Sequence, residues 1–431
     1  MTAPDRTPVS AADRRAVAEL AVRGIHVADI QDLARDQRPF AQRITEPHRR
    51  TLAAGVVLDS RTLELESGSF TNAYTLTVDL NRAGAQPVTD RSGFRLRGLV
   101  HGAVVAAVSG SFSYISDDPA YQPDEPCLDL TIRHGQIAGL PTTGKPALLL
   151  HNGRLQIHHL PAIGTLTLAG HPYRWAGSKD PRPGHLAVFG AANCRVRYRD
   201  DPRTGFLRDV DPATNTTPHR ADALDATVGP TASGLRITAL HPGGGADLFT
   251  GALILRALLP TARHLTLGAP VRITSLDTND TAGLEAGFSL GPTVAAAARG
   301  DTTPWDASLG LSPFRPGARY ARTLIALDAD RLHLQVLDGA PLTDHFRGVT
   351  AAETARLCEA AGWDPEKVYH LDGGQTSKIA YRSPDARPDA VGSLHYLRWP
   401  ANATQPFHWQ GLDGRVLRSA LTITASDQEA P

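Results

Sequence analysis

Lysine, cysteine and long apolar runs are what this chain of 431 residues has least of. Only Lys145, Lys179, Lys367 and Lys378 are lysine, and the other 40 basic residues are arginine. That bias, with the heavy Ala, Gly and Pro load, fits genomic base composition, as in a bacterial chain. It also makes any lysine inside a chemical motif stand out. The three cysteines, Cys127, Cys194 and Cys358, are odd in number and far apart, which excludes a disulfide framework and any Cys-x-x-Cys site. Buried inert thiols in a reducing compartment are the expectation. No apolar run approaches the ~20 residues of a membrane-spanning helix. Residues 1–36 are charged throughout and hold no apolar core of an export signal, so a cytoplasmic protein is expected. Acidic and basic residues balance at 44 each, so no global field points to nucleic acid or an anionic membrane as partner.

What is present reads mainly as strands. Ser10-Ala11-Ala12-Asp13 looks like a helix start, and a second amphipathic stretch runs from Val27 to Phe40. Residues 1–50 are therefore expected to be a helical N-terminal segment, and 51–431 one catalytic domain. From Leu63-Glu64-Leu65-Glu66 and Tyr74 to Leu80 the pattern alternates with period two. Leu99 to Val108 suits a central strand. Leu128 to Ile132, Ala147 to Leu150, Leu155 to Leu160 and Thr165 to Ala169 are short strands, and 235–275 holds more. Residues 200–232, rich in Asp, Pro, Thr and Arg, read as a long loop or insertion. Thr350 to Ala361 is the clearest helix outside the N-terminus. Thr350 caps it, Glu353 stands at the third position and Gly362 stops it. With strand, helix, strand over 333–371, the expected fold class is α+β, with mixed, largely antiparallel sheets and a few packed helices.

The most informative run is Tyr369-His370-Leu371-Asp372-Gly373-Gly374-Gln375-Thr376-Ser377-Lys378. A glycine pair weakens strands and helices, because it loses the most backbone entropy on ordering. It belongs where the backbone turns sharply or approaches a ligand. Val368 to Leu371 reads as a short strand, so Asp372 would sit at its carboxyl end, held by a rigid element among exposed amides and hydroxyls. An Asp-Gly hairpin turn is the other reading. His370, two residues before Asp372, is either a proton-transfer partner or a packed strand histidine. Elsewhere, His151, His158, His159, His171 and His185 match no metal-ligand spacing. Gly243-Gly244-Gly245 lacks the ending of a phosphate loop, and no Gly-x-Ser-x-Gly elbow surrounds Ser109 or Ser111. No cofactor and no metal is expected.

Several segments, taken in order, resemble the phosphodiester glycosidase family. Tyr74 to Leu80 is similar to its opening strand, and Val104 to Phe112 to its Ala-Ile-Asn-Gly-Gly-Phe-Phe segment. Pro181 to Gly190 is similar to the stretch leading into its Val-x-Tyr/Phe-Thr strand. Gly287 to Val294 resembles its Gly-Gly-Gly-Pro-Leu-Leu-Val turn. Arg322 to Leu327 is similar to Arg-Thr-Ala-Ile-Gly, and Leu334 to Gly339 to Val-Val-Val-Asp-Gly. Val349-Thr350 then opens a helix, and Leu371 to Gly374 parallels Leu-Asp-Gly-Gly-Gly-Ser-Ser. The likeness spans roughly residues 70–385.

It implies a hydrolase that cleaves a sugar-1-phosphodiester, or a nucleotide-sugar-like or nucleoside-linked relative, in small-molecule biosynthesis. Such a substrate asks for cations and N–H donors at the phosphate and for a carboxylate near the glycosyl centre. By the resemblance, Asp372 is that carboxylate and Arg322 the phosphate clamp. Asp338 is a second carboxylate candidate or an ordinary Asp-Gly turn. Ser109, Gly110, Ser111, Gly373, Gly374, Gln375, Thr376, Ser377 and Lys378 would line the substrate pocket. Two motifs depart from the family: Ser109-Gly110-Ser111 replaces Asn-Gly-Gly, and Gln375-Thr376-Ser377-Lys378 replaces Gly-Ser-Ser-Thr. The first loses a bidentate amide and the second adds bulk and charge. A repurposed transferase, lyase or isomerase, or a silent sugar-phosphate binder, therefore stands as the alternative. Oligomeric state is not legible.

Overall fold

The computed structural model describes residues 43–113, 124–125, 127–177, 180–194, 197–199, 207–209, 215–277, 279–305, 314, 317–339, 348–393, 397–398, 408–409 and 416–425. Both helices read near the N-terminus lie outside these residues. The end of that segment is already strand, because His48–Ala53 pairs with Val56–Glu64.

Strands make up 53% of the structure and helices 10%, which corrects the α+β expectation to a mostly β fold. The central correction is a closed barrel of seven strands. Its order is Ile163–Leu168, His171–Ala176, His185–Phe189, Leu253–Leu258, Ala223–Thr231, Gly234–Pro242 and Pro270–Leu276, and the last pairs back to the first. Closure depends on pairing across about a hundred residues of chain, which local periodicity does not encode. The barrel also corrects the reading of 200–232 as a loop, since Ala223–Thr231 is one of its inner strands. Asp225 and Thr227 hid the alternation: both are polar, yet both are buried.

Leu166, Leu168, Trp175, Val188, Leu255 and Val271 fill the barrel. Burying a side chain of this kind stabilises the fold by roughly 1.5–3 kcal/mol. The same core continues onto a five-stranded sheet through Ile132 and Leu149.

Two more sheets carry the candidate site. One orders His48–Ala53, Val56–Glu64, Phe70–Asp79, Arg331–Leu337, Arg322–Leu327 and Val368–Leu371. The other orders Pro388–Gly392, Lys378–Arg382, Val104–Ser109, Leu417–Ala425 and Ala83–Phe94. They pack face to face through Leu76, Val336 and Ile325 on one side and Val108, Ile379 and Leu421 on the other. The far face of the first sheet is covered by α1 (Val294–Arg299) and α2 (Ala351–Ala360), with Leu324, Leu337 and Val368 meeting Val294 and Cys358.

Helix α2 follows from its sequence at both ends. Thr350 Oγ1 accepts from the Glu353 N–H at 3.1 Å while the Glu353 carboxylate accepts from the Thr350 N–H at 2.9 Å. At the other end Gly362 takes φ +77°, and the Gly362 and Trp363 N–H groups bond back to Glu359 and Cys358. That is the six-to-one, five-to-two pairing of a left-handed glycine stop. All three cysteines are buried and free, and burial pushes each thiol up to about 12. Among the described residues no helix is long and apolar enough to cross a membrane.

Candidate functional site

Strand register brings the separated motifs to one edge. Arg322 lies opposite Leu337, and Thr323 opposite Leu371. Asp338 and Asp372 each follow the last residue of their strands, so they flank the start of the Arg322 strand. Val368–Leu371 is the strand that its apolar run predicts.

Asp372 is held at this edge by backbone. Its N–H donates to the Gly110 carbonyl at 2.8 Å, and the Gly373 N–H donates to its Oδ1 at 2.9 Å. The Asp-Gly-Gly run therefore turns out of the sheet rather than forming a hairpin. Gly374 enters a short 3₁₀ turn, Gly374–Thr376, at φ +67°. Gln375 is the middle residue of that turn. Thr376 Oγ1 closes it on the Gly373 carbonyl at 2.8 Å.

The Ser109-Gly110-Ser111 segment meets the same place from the second sheet. Gly110 is required by close approach: a Cβ there would lie 2.8 Å from the Ser419 carbonyl carbon. Ser111 Oγ donates to the Ser289 carbonyl at 2.6 Å. A chain of hydroxyls links the two sheets, Ser109 to Thr323 at 3.3 Å and Thr323 to Ser377 at 3.1 Å. The cleft that results is very small, about 10 Å³ and little more than one water wide, and its lining includes Ser109, Gly110, Ser111, Asp372 and Thr376. Arg418 and Ser419 complete it. Sequence reading missed both. They come from the C-terminal strand, which pairs with Val104–Ser109 across some three hundred residues, and carry no motif of their own. Arg418 is half-buried and its guanidinium reaches the Arg91 carbonyl at the rim.

The other named residues are placed elsewhere. Arg322 is 3% exposed and turns to the helix-covered face. There its Nε and Nη2 donate to the Val349 and Ala318 carbonyls, at 3.4 and 3.3 Å, between the rings of Phe314 and Tyr320. His370 shares that face, is fully buried, and tilts on Phe314 with ring centroids 4.8 Å apart. Burial, and then the Arg322 charge, hold its imidazole well below the usual histidine value, so it is neutral at physiological pH. This is the packed histidine of the two readings.

Asp338 and Lys378 lie together between the sheets, both buried. Asp338 Oδ1 accepts the Gly339 N–H at 2.7 Å, and Oδ2 has no hydrogen-bond partner. Burial pushes this carboxyl up to about 7, against the pull of the Gly339 N–H, the Lys378 charge and the nearby Ser393 hydroxyl. The motif residues thus divide into three groups: the Asp372 cleft, the Arg322–His370 face and the Asp338–Lys378 interior. Among the described residues no group of three or more His, Cys, Asp or Glu could hold a metal ion.

No protein-family model matches this chain, and no curated protein matches it. Solved structures do. A hypothetical protein from Synechocystis is similar at TM-score 0.51 and 12% identity, over 88% of this chain and 64% of that one. The chain thus spans less than two thirds of that structure, and at such identity the likeness is one of fold. A Burkholderia pseudomallei protein whose name suggests export gives TM-score 0.47 and 17% identity, covering 96% of this chain and 89% of its own. The catalytic domain of zebrafish N-acetylglucosamine-1-phosphodiester α-N-acetylglucosaminidase, auto-inhibited by its pro-peptide, gives 0.35 and 11%, covering 90% and 86%.

Proposed function

We propose that this chain is a hydrolase of glycosyl phosphodiesters, with Asp372 as its carboxylate. One observation carries the reading. The two segments that most resemble the site motifs of phosphodiester glycosidases meet at one cleft, Ser109-Gly110-Ser111 on one side and Asp372 and Thr376 on the other, although they are some 260 residues apart.

In that cleft Asp372 faces the glycosyl centre. It stabilises the positive charge that gathers as the bond from the anomeric carbon to the phosphate oxygen breaks, or takes the proton of the attacking water. The electron pair of the broken bond leaves with the phosphate, so little acid assistance is needed. Arg418 offers guanidinium donors to the phosphate oxygens, while the Ser109 and Ser111 hydroxyls, donating to Thr323 and the Ser289 carbonyl, shape the wall. Arg418 replaces Arg322 in the clamp role, because Arg418 lines the cleft whereas Arg322 lies on the helix-covered face.

The test is turnover of a panel of sugar-1-phosphodiesters and nucleotide sugars. Asp372→Asn is expected to lower kcat by about 10²–10⁴. Arg418→Gln is expected to raise KM by about tenfold with kcat less affected, as loss of uniform binding does. Full turnover in Asp372→Asn removes that carboxylate from the mechanism. Absence of turnover by the wild type across the panel removes the hydrolase reading, and a sugar delivered to an acceptor other than water makes the protein a transferase.

A further inference from the structure

The mouth of the barrel holds a second cavity that the cleft chemistry does not use. It is about 540 Å³, within the range of roughly 300–1,000 Å³ typical of small-molecule sites, and barrel mouths are among the places where such sites occur. Its position follows from the topology. Ile163 begins one strand, Ala176 ends the next, and Asp277 follows the end of the strand that closes the barrel, so all three lie at one rim. Trp175 and Leu186 form an apolar floor and are both 1% exposed.

The lining of this cavity asks for a ligand. The parallel pairing of His171–Ala176 with His185–Phe189 puts Arg174 opposite His185, and Arg182 joins them from the connecting loop. The side chains of Arg174, Arg182 and His185 make no hydrogen bond or ion pair among the described residues. Of the two acids in the lining, Asp180 is already bridged by Arg220 at 2.9 Å.

We propose that the barrel mouth binds a small organic anion, a phosphorylated or carboxylated sugar. Arg174, Arg182 and His185 take the charge. The site is separate from the Asp372 cleft and stands whether or not that cleft is hydrolytic.

Isothermal titration of the full chain with ribose 5-phosphate, glucuronate and uncharged glucose tests it. The expected result is binding of at least one anion, with glucose weaker by about tenfold or more. The ratio of the two anions tells phosphate from carboxylate. The double variant Arg174→Gln/Arg182→Gln, which changes only exposed side chains, is expected to weaken the anion by about tenfold or more. It should leave turnover at the Asp372 cleft unchanged. Asp372→Asn should bind the anion as the wild type does. No heat with either anion at ~10 mM, equal binding by the double variant, or loss of binding in Asp372→Asn overturns the proposal.

Discussion

In the barrel, Asp225 and Arg256 are buried to within 1% of full, and both carboxylate oxygens are engaged, one by Arg256 Nε at 2.6 Å and the other by Arg256 Nη2 at 2.8 Å and Thr217. At the site edge Asp338 is buried as deeply, yet one of its oxygens has no partner. His370, on the opposite face of the same sheet, has an unpartnered Nε2. A buried charge is tolerable when geometry satisfies it and costly when it does not. The barrel is therefore built as scaffold, with its charge fixed. The site edge keeps ionisable groups that stay neutral or sit near neutrality, and such groups tend to collect where chemistry is done.

The sharpest way to break this contrast is to unpair the barrel. Asp225→Ala leaves Arg256 charged and buried, and is expected to cost about 3–5 kcal/mol, read as a lower midpoint in urea unfolding. A loss under about 1 kcal/mol would mean that Arg256 finds water and that the pair is not a structural element.

The next effect lies at Asp338 and has a definite sign. Its carboxyl is raised from 3.8 to about 7 in the folded protein. The native state therefore holds this proton more tightly than the unfolded chain. The stability it confers is complete below about pH 4 and is lost as the pH rises to about 7. Asp338→Asn keeps the shape without the charge. It is expected to flatten this part of the stability curve, with a gain over wild type above pH 7 of roughly a few kcal/mol at most. Parallel curves for the two proteins between pH 4 and 8 would show that Asp338 is solvated or paired and that the contrast with Asp225 is wrong.

The smallest effect falls between the two regions, at the helix behind the site. Thr350→Ala removes one half of the reciprocal cap and is expected to cost about 1 kcal/mol, with no change in turnover at the cleft. A fall in kcat larger than the fall in stability would tie α2 to the chemistry.

The parts of the fold legible in the sequence are those whose signals are local. The cap at Thr350, the stop at Gly362 and the strand Val368–Leu371 stand where their residues place them, because capping and period-two burial are decided within a few residues. The barrel was not legible. Two buried polar residues, Asp225 against Arg256 and Thr217 and Thr227 against His241, masked its Ala223–Thr231 strand, and ring closure rests on pairing between Ile163–Leu168 and Pro270–Leu276. The site divides in the same way. Asp372 could be singled out from composition and spacing, and Gly110 with the serines beside it only through the family resemblance. Arg418 and Ser419 could not, since an ordinary C-terminal strand supplies them.

Sequence by itself determined which residues could turn, cap or carry charge: the Asp-Gly-Gly break after a strand, the glycine that must admit a neighbouring backbone, the small number of lysines. Tertiary structure decided which of them meet. It sent Arg322 and His370 to one face of a sheet and Asp338 to the other, because consecutive strand residues point in opposite directions and the covering layer sets what each side touches. It also chose the guanidinium at the cleft, because only the sheet order β-strand by β-strand places residue 418 beside residue 110.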